Sequence, residues 1–244
     1  MGTVRLLRRL VPAAAPLLLI LLGAVPGAAF AQDAQGGKGA AVSPWEVLDG
    51  ARESLAAAGA EQADFVQTYL PAGFSSGEEE GGRVALRLPD CLRWDYDEPF
   101  PKSFLLCGDR VWSWNPKDKR GQTGAVDRES QPGLDLLLLP VEQLNERYRA
   151  TAAVGGGDDG NGQSGASKGR VTVHLEPLAD LPESPVTVDL TEATLVVDTA
   201  TERLVELSYK DREGNRTRFV LSHYRPLEDQ TLFKAPQGIT WEDQ

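Results

Sequence analysis

Residues 83–116 read RVALRLPDCLRWDYDEPFPKSFLLCGDRVWSWNP. Val84, Leu86 and Leu88 share one phase of the first run, and Leu92, Trp94 and Tyr96 alternate with Arg93, Asp95 and Asp97. A period of two with one wet phase marks a half-buried antiparallel strand. Glu98-Pro99-Phe100-Pro101 turns the chain. A further pair follows through Phe104-Leu105-Leu106 and Val111-Trp112-Ser113-Trp114, hinged at Gly108-Asp109 and stopped by Asn115-Pro116. The stretch therefore predicts neighbouring antiparallel strands crowded with Trp94, Tyr96, Phe104, Trp112 and Trp114. Such rings either pack as an ordinary β core or curl around a cavity that holds an apolar ligand.

Upstream, Ser43-Pro44-Trp45-Glu46 combines an N-cap, a first-turn Pro and a capping-box Glu. Trp45, Leu48 and Leu55 keep helical spacing to about Gly59, after which Phe65, Gln67 and Tyr69 alternate with Val66 and Thr68. Downstream, the leucine run 134–139 lies between Pro132-Gly133 and Pro140, which suits a short helix. Sheet resumes at 171–175 and 186–190, then at 195–198 and 204–209 around a turn at Thr199-Ala200-Thr201. Glu213-Gly214-Asn215 turns into a last run, 217–221. Strands at this spacing predict an antiparallel sheet or barrel.

Residues 155–169 are nearly all Gly, Asp, Asn, Ser and Gln, which predicts a flexible loop. Gly160-Asn161-Gly162-Gln163-Ser164-Gly165 matches G-x-G-x-x-G there, but with no strand before it and no helix after it the dinucleotide reading fails. The nearby Asp158-Asp159-Gly160-Asn161 lacks the first acid and the closing Glu of a calcium loop.

The chain has 244 residues, 41% of them hydrophobic and 25% charged, enough for one good core or two small ones. Residues 1–31 read as a secretory signal: Arg5, Arg8 and Arg9, then Leu17 to Leu22, then Ala29-Phe30-Ala31 as the cleavage site. Its uninterrupted apolar run is too short to span a bilayer. Removing those three arginines takes the net charge from −11 to −14, an acidic body unsuited to nucleic acid. Residues 32–42 read as a flexible leader and 43–244 as a single domain released beyond the inner membrane.

In an oxidising compartment Cys91 and Cys107 can bridge, and strands on both sides of a turn near Pro99 would set them opposite one another. The catalytic inventory is thin. His174 and His223 sit in strand-like runs without a metal-spaced partner, and neither H-E-x-x-H nor G-x-S-x-G occurs. The acids fall mostly in turns or on wet strand phases. No enzyme activity, cofactor or metal is expected.

Ala63-Asp64-Phe65-Val66-Gln67-Thr68, Leu92-Arg93-Trp94-Asp95-Tyr96 with Glu98-Pro99, and Gly108-Asp109-Arg110-Val111-Trp112 resemble successive signatures of the LolA family of periplasmic lipoprotein carriers. Phe233-Lys234-Ala235-Pro236-Gln237-Gly238-Ile239 is similar to that family's closing segment, so the resemblance runs from about Trp45 to Gln244. It implies a mainly β fold: an unclosed antiparallel β-barrel with short α-helices covering its mouth. It also implies a chaperone that shields the acyl chains of lipoproteins between an inner-membrane ABC-type release complex and an outer-membrane acceptor, acting as a monomer. On that basis Val84, Leu86, Leu88, Trp94 and Tyr96 are expected to line the lipid cavity, joined by Phe104, Trp112, Leu207, Phe219 and Leu221. Leu137 and Leu138 would touch it from the lid.

One departure matters. The family arginine that ties the lid closed is replaced here by Leu88, with Arg87 on the other face, so either Arg93 or another donor substitutes, or the lid closes by apolar contact. A lipid or lipoprotein sensor of the same fold, or a carrier of a non-protein (glyco)lipid, are the alternatives.

Overall fold

The computed structural model describes residues 42–126, 133–155, 169–178 and 190–243. The expected signal segment and nearly all of the leader, the Gly-rich stretch 156–168 and the expected strand residues 186–189 lie outside the described residues.

Helix α1, Pro44–Ala58, starts where Ser43 Oγ accepts from the Glu46 amide at 3.4 Å and ends at Gly59, whose φ of 81° suits a residue without Cβ. It buries Leu48, Ala51 and Leu55, one helical face. Six strands follow: β1 Glu61–Leu70, β2 Glu78–Arg87, β3 Cys91–Glu98, β4 Lys102–Cys107, β5 Arg110–Asn115 and β6 Arg120–Ala125. Two short helices, α2 Leu134–Leu138 and α3 Val141–Asn145, lead into β7 Tyr148–Val154, β8 Arg170–Pro177, β9 Leu190–Asp198, β10 Arg203–Asp211 and β11 Arg216–Pro226. A 3-10 turn at Gln230–Phe233 precedes β12, Thr240–Asp243.

All twelve strands form one open sheet in the order β12-β6-β5-β4-β3-β2-β1-β11-β10-β9-β8-β7. The pairings are antiparallel, as expected, except that of β12 with β6 at the sheet edge, which is parallel. The sheet is strongly bent. Trp94 on β3 and Phe219 on β11 stand three strand steps apart, about 14 Å in a flat sheet, yet their ring centroids are 5.1 Å apart.

β6, β7 and β12 carry no clear alternation. β6 has Gly121 where a Cβ would lie 2.4 Å from the Trp241 ring and 2.8 Å from the Ser113 carbonyl oxygen, so close stacking of β12 requires glycine there. β7 is mostly alanine and threonine, too small and too even to show a period.

The two sheet faces hold separate cores. The inner one joins α1, α2 and α3 to β1–β4 and β7–β11. The outer one gathers Ala85, Cys91, Leu105 and Trp114 under Phe233, with Leu227, Ile239 and Trp241 packed against it, so the C-terminal segment straps the outside of the sheet. Arg87 lies over the Phe233 ring at 4.6 Å. Cys91 and Cys107 face each other in the β3–β4 register, 4.2 Å between Cα atoms, and are disulfide-bonded. Closing a loop of this size contributes about 3 kcal/mol through the unfolded chain.

Candidate functional site: the inner face of the sheet

The inner face is built from alternation. On β1 the inward side chains are Ala63, Phe65 and Gln67, and on β2 and β3 they are Val84, Leu86, Leu92, Trp94 and Tyr96; across β1, β11 and β10 supply Leu221, Phe219, Leu207 and Tyr209. Phe65 anchors the aromatics, edge-on to Trp94 and to Tyr96 at 4.9 Å each, a geometry favoured by ring quadrupoles.

Two spaces remain between these rings and α2. A tight one, about 30 Å³, is lined by Leu55, Leu86, Leu88, Trp94, Leu137, Leu204, Leu207, Phe219, Leu221 and Tyr224. A wider one, about 270 Å³, is lined by Gln67, Leu92, Trp94, Tyr96, Phe104, Leu106, Val111, Gly133, Leu137, Leu207, Tyr209 and Phe219. Trp94, Leu137, Leu207 and Phe219 belong to both and form the partition between them. A larger concavity, about 650 Å³, is elsewhere: it is walled mostly by outward groups of β8–β11 such as His174, Glu192, Glu206 and Arg218. Unlike the two inner spaces, it is bordered by charged side chains, Glu192, Glu206, Lys210, Arg216 and Arg218 among them.

Of the expected lining residues, Leu86, Leu88 and Leu221 border the tight space, Tyr96 and Phe104 the wide one, and Trp94, Leu207 and Phe219 both. Val84 is fully buried in the inner core and borders neither. Trp112 is a correction. The β4–β5 register pairs it with Leu105 and pairs Val111 with Leu106, so Val111 faces inward and Trp112 packs with the outer core. Of the two leucines expected from the cover, Leu137 borders both spaces, whereas Leu138 is buried in the inner core. Leu55, Leu92, Leu106, Val111, Leu204, Tyr209 and Tyr224 were not expected, although Leu92, Leu106 and Tyr209 share the strand phases of Trp94, Phe104 and Leu207, and Leu55 lies on the apolar spacing of the first helix.

α2 is held by a group absent from the sequence expectation. Arg52 of α1 donates from Nη2 to the Leu136 carbonyl at 2.7 Å and from Nη1 to the Leu137 carbonyl at 3.2 Å. Arg93, one of the donors considered in place of Leu88, points outward instead. It grips Asp95 at 2.8 and 2.9 Å and donates to the Leu232 carbonyl at 3.0 Å. α1 itself is fixed to the sheet by Arg203, which donates to both carboxylate oxygens of Glu61 (2.6 and 2.9 Å) and to Ser54 Oγ (2.6 Å). Before α2, Gly133 has a φ of 83°, and a Cβ there would lie 2.5 Å from the Tyr209 ring, so only glycine lets the chain seat against β10 at this point.

The wide space has a polar end. The Tyr96 hydroxyl donates to Gln67 Oε1 at 2.5 Å. Lys102 Nζ lies 4.5 Å from the Tyr96 ring centroid and 2.8 Å from both Glu80 carboxylate oxygens. Burial, reinforced by the Glu80 charge, pushes the Tyr96 phenol well above its ordinary range. Burial raises Tyr209 too, against a hydrogen bond from Thr217 that lowers it. Both phenols stay neutral at any physiological pH.

Ser222, His223 and Asp64 cluster on the surface, but serine and carboxylate both contact the same ring nitrogen, Nδ1, at 3.2 Å. A nucleophilic triad needs them on opposite nitrogens. No group of three or more His, Cys, Asp or Glu poised to hold a metal occurs among the described residues.

The family model described as "Outer membrane lipoprotein carrier protein LolA" matches residues 57–160, the span from the end of α1 through β7. An outer-membrane lipoprotein carrier protein of Xylella fastidiosa strain Temecula1 is 30% identical over 93 residues, 38% of this chain and 44% of that relative. Over that stretch the chain is similar to the LolA family. The aligned part spans less than half the length of the curated relatives. Among solved structures, an uncharacterized conserved protein from Thermus thermophilus aligns over 82% of this chain and 98% of its own, at 11% identity and a TM-score of 0.49. A LolA superfamily protein from Nitrosomonas europaea aligns over 80% and 99%, at 11% identity and a TM-score of 0.40. The stretch matched by the LolA model carries Trp94, Tyr96, Phe104 and Leu137, and β8 to β12 lie beyond it.

Proposed function

We propose that this chain belongs to the LolA family, binds the acyl chains of lipoproteins on the inner face of its bent sheet, beneath α2, and carries them across the periplasm toward the outer membrane. The observation that supports this most is the shared wall of Trp94, Leu137, Leu207 and Phe219, which makes two dry spaces one connected apolar tract once α2 moves. At about 0.8 kcal/mol per buried methylene, each long chain has a strong reason to leave water for such a tract. The spaces are small for a whole chain, so uptake requires α2 to swing away, with Gly133 as one hinge and Pro140 after it as the other.

Non-covalent carriage needs no catalytic group. On this reading residues 43–244 act as one carrier domain, exported behind the signal segment and cleaved after Ala31. Its partners are an inner-membrane ABC-type release complex and an outer-membrane acceptor. Among the described residues no helix is long and apolar enough to cross a membrane.

A Leu137→Asp variant places a carboxylate in the wall of both spaces. Uptake of a fluorescent acyl probe should fall at least tenfold while the far-UV spectrum stays sheet-like, and mass spectrometry of the exported wild type should find acylated protein bound. Unchanged uptake, or bound free lipid in place of acylated protein, would contradict the carrier reading.

A further inference from the structure

The polar end of the wide space carries information about the head of the ligand, not only its tail. We infer that this chamber selects acyl chains whose polar end is a neutral ester or amide, and rejects the same chains ending in a carboxylate or phosphate. The inference rests on the acyl-carrier reading and narrows its ligand class.

Gln67 is the central group. Its side chain faces inward from β1, and its oxygen is taken by the Tyr96 hydroxyl at 2.5 Å. Its amide nitrogen has no hydrogen-bond partner among the described residues. That leaves N–H donors at the boundary between the apolar tract and the polar end, placed to meet a carbonyl oxygen. A few such groups in an otherwise apolar chamber fix a ligand's orientation.

Charge is arranged against an anion. No charged side chain borders either space among the described residues. Lys102, 4.5 Å from the Tyr96 ring centroid, is bound by both oxygens of Glu80 at 2.8 Å. Glu80 stands directly opposite Gln67 in the β1–β2 register, so its carboxylate shares Gln67's face of the sheet. An anionic head at Gln67 would meet the Glu80 carboxylate beside it and a lysine already engaged by that carboxylate, whereas an ester or amide needs only the N–H donors. Burial keeps Tyr96 and Tyr209 as neutral phenols, so neither adds a charge.

The test is competition against a bound fluorescent hydrocarbon probe by ligands with one tail and different heads: methyl laurate, N-methyl lauramide, laurate and lauryl phosphate, at pH 8. The ester and amide should displace the probe at concentrations at least tenfold below those needed for laurate and lauryl phosphate. Gln67→Leu should shrink that gap to about twofold, each displacement being scaled to the probe's own affinity for that variant, and Gln67→Lys should reverse the order. Equal competition by laurate or lauryl phosphate in the wild type would overturn the inference, as would a gap untouched in both variants, while the carrier reading would stand. Failure of the hydrocarbon probe itself to bind would overturn the carrier reading and this inference with it.

Discussion

An Arg203→Met variant should lose about 3 kcal/mol of stability, measured as a lower urea midpoint at unchanged slope. Arg203 gives both carboxylate oxygens of Glu61 a donor and reaches Ser54 as well, and Glu61 is only 8% exposed. Methionine keeps much of the side-chain volume but leaves that carboxylate buried and unpaired, and this desolvation dominates the cost. The attraction itself is largely offset by the loss of hydration, so the double variant Glu61→Leu, Arg203→Met should recover most of the loss. A single variant with the wild-type midpoint would mean that α1 is fixed by its apolar face alone.

Arg52→Leu should act on motion rather than on folding. Its guanidinium donates to two carbonyls of α2, and hydrogen bonds from a charged donor are worth about 1.5–3 kcal/mol each where water is excluded. Because Arg52 is part-exposed, about 2 kcal/mol for the pair is a fair figure, and that changes an open-to-closed ratio by roughly 30-fold. If α2 is the moving cover, probe association should speed up by about that factor while the urea midpoint moves little. Arg52→Lys, which keeps one point charge but not the fork, should fall between. An association rate unchanged in Arg52→Leu would show that α2 closes through Leu136 and its apolar neighbours alone.

These two arginines also show where sequence reading stops. Alternation, read together with the family resemblance, put Leu86, Trp94 and Tyr96 on the inner face, because a strand with one dry and one wet side writes its two phases into the sequence. The same logic misplaced Trp112. β5 has apolar groups on both phases, Trp112 and Trp114 on one and Val111 on the other, and only the pairing of Cys107 with Arg110 decides which phase faces inward. Two tryptophans did mark a core, but it is the outer one, made by a C-terminal strap whose contacts lie more than a hundred residues downstream.

The helix from Ser43 to Gly59 and the short helix in the leucine run were legible from caps, prolines and spacing, since those signals are local. β6 and β7 were not, because glycine and alanine carry almost no hydrophobic contrast. The tie to α2 was illegible for a different reason: a carbonyl acceptor has no residue identity, so nothing in Leu136 or Leu137 announces that Arg52 will find them.

The central claim is that an acyl chain lies on the inner face, and brominated acyl ester titrated against tryptophan emission tests it most directly. The chain has five tryptophans, and among the described residues only Trp94 borders either inner space, while Trp112, Trp114 and Trp241 belong to the outer core. Bromine quenches at close range, so most of the quenching should disappear in Trp94→Phe and persist in Trp112→Phe. Full quenching in Trp94→Phe, with its loss in Trp112→Phe, would put the chain on the outside of the sheet and contradict the account.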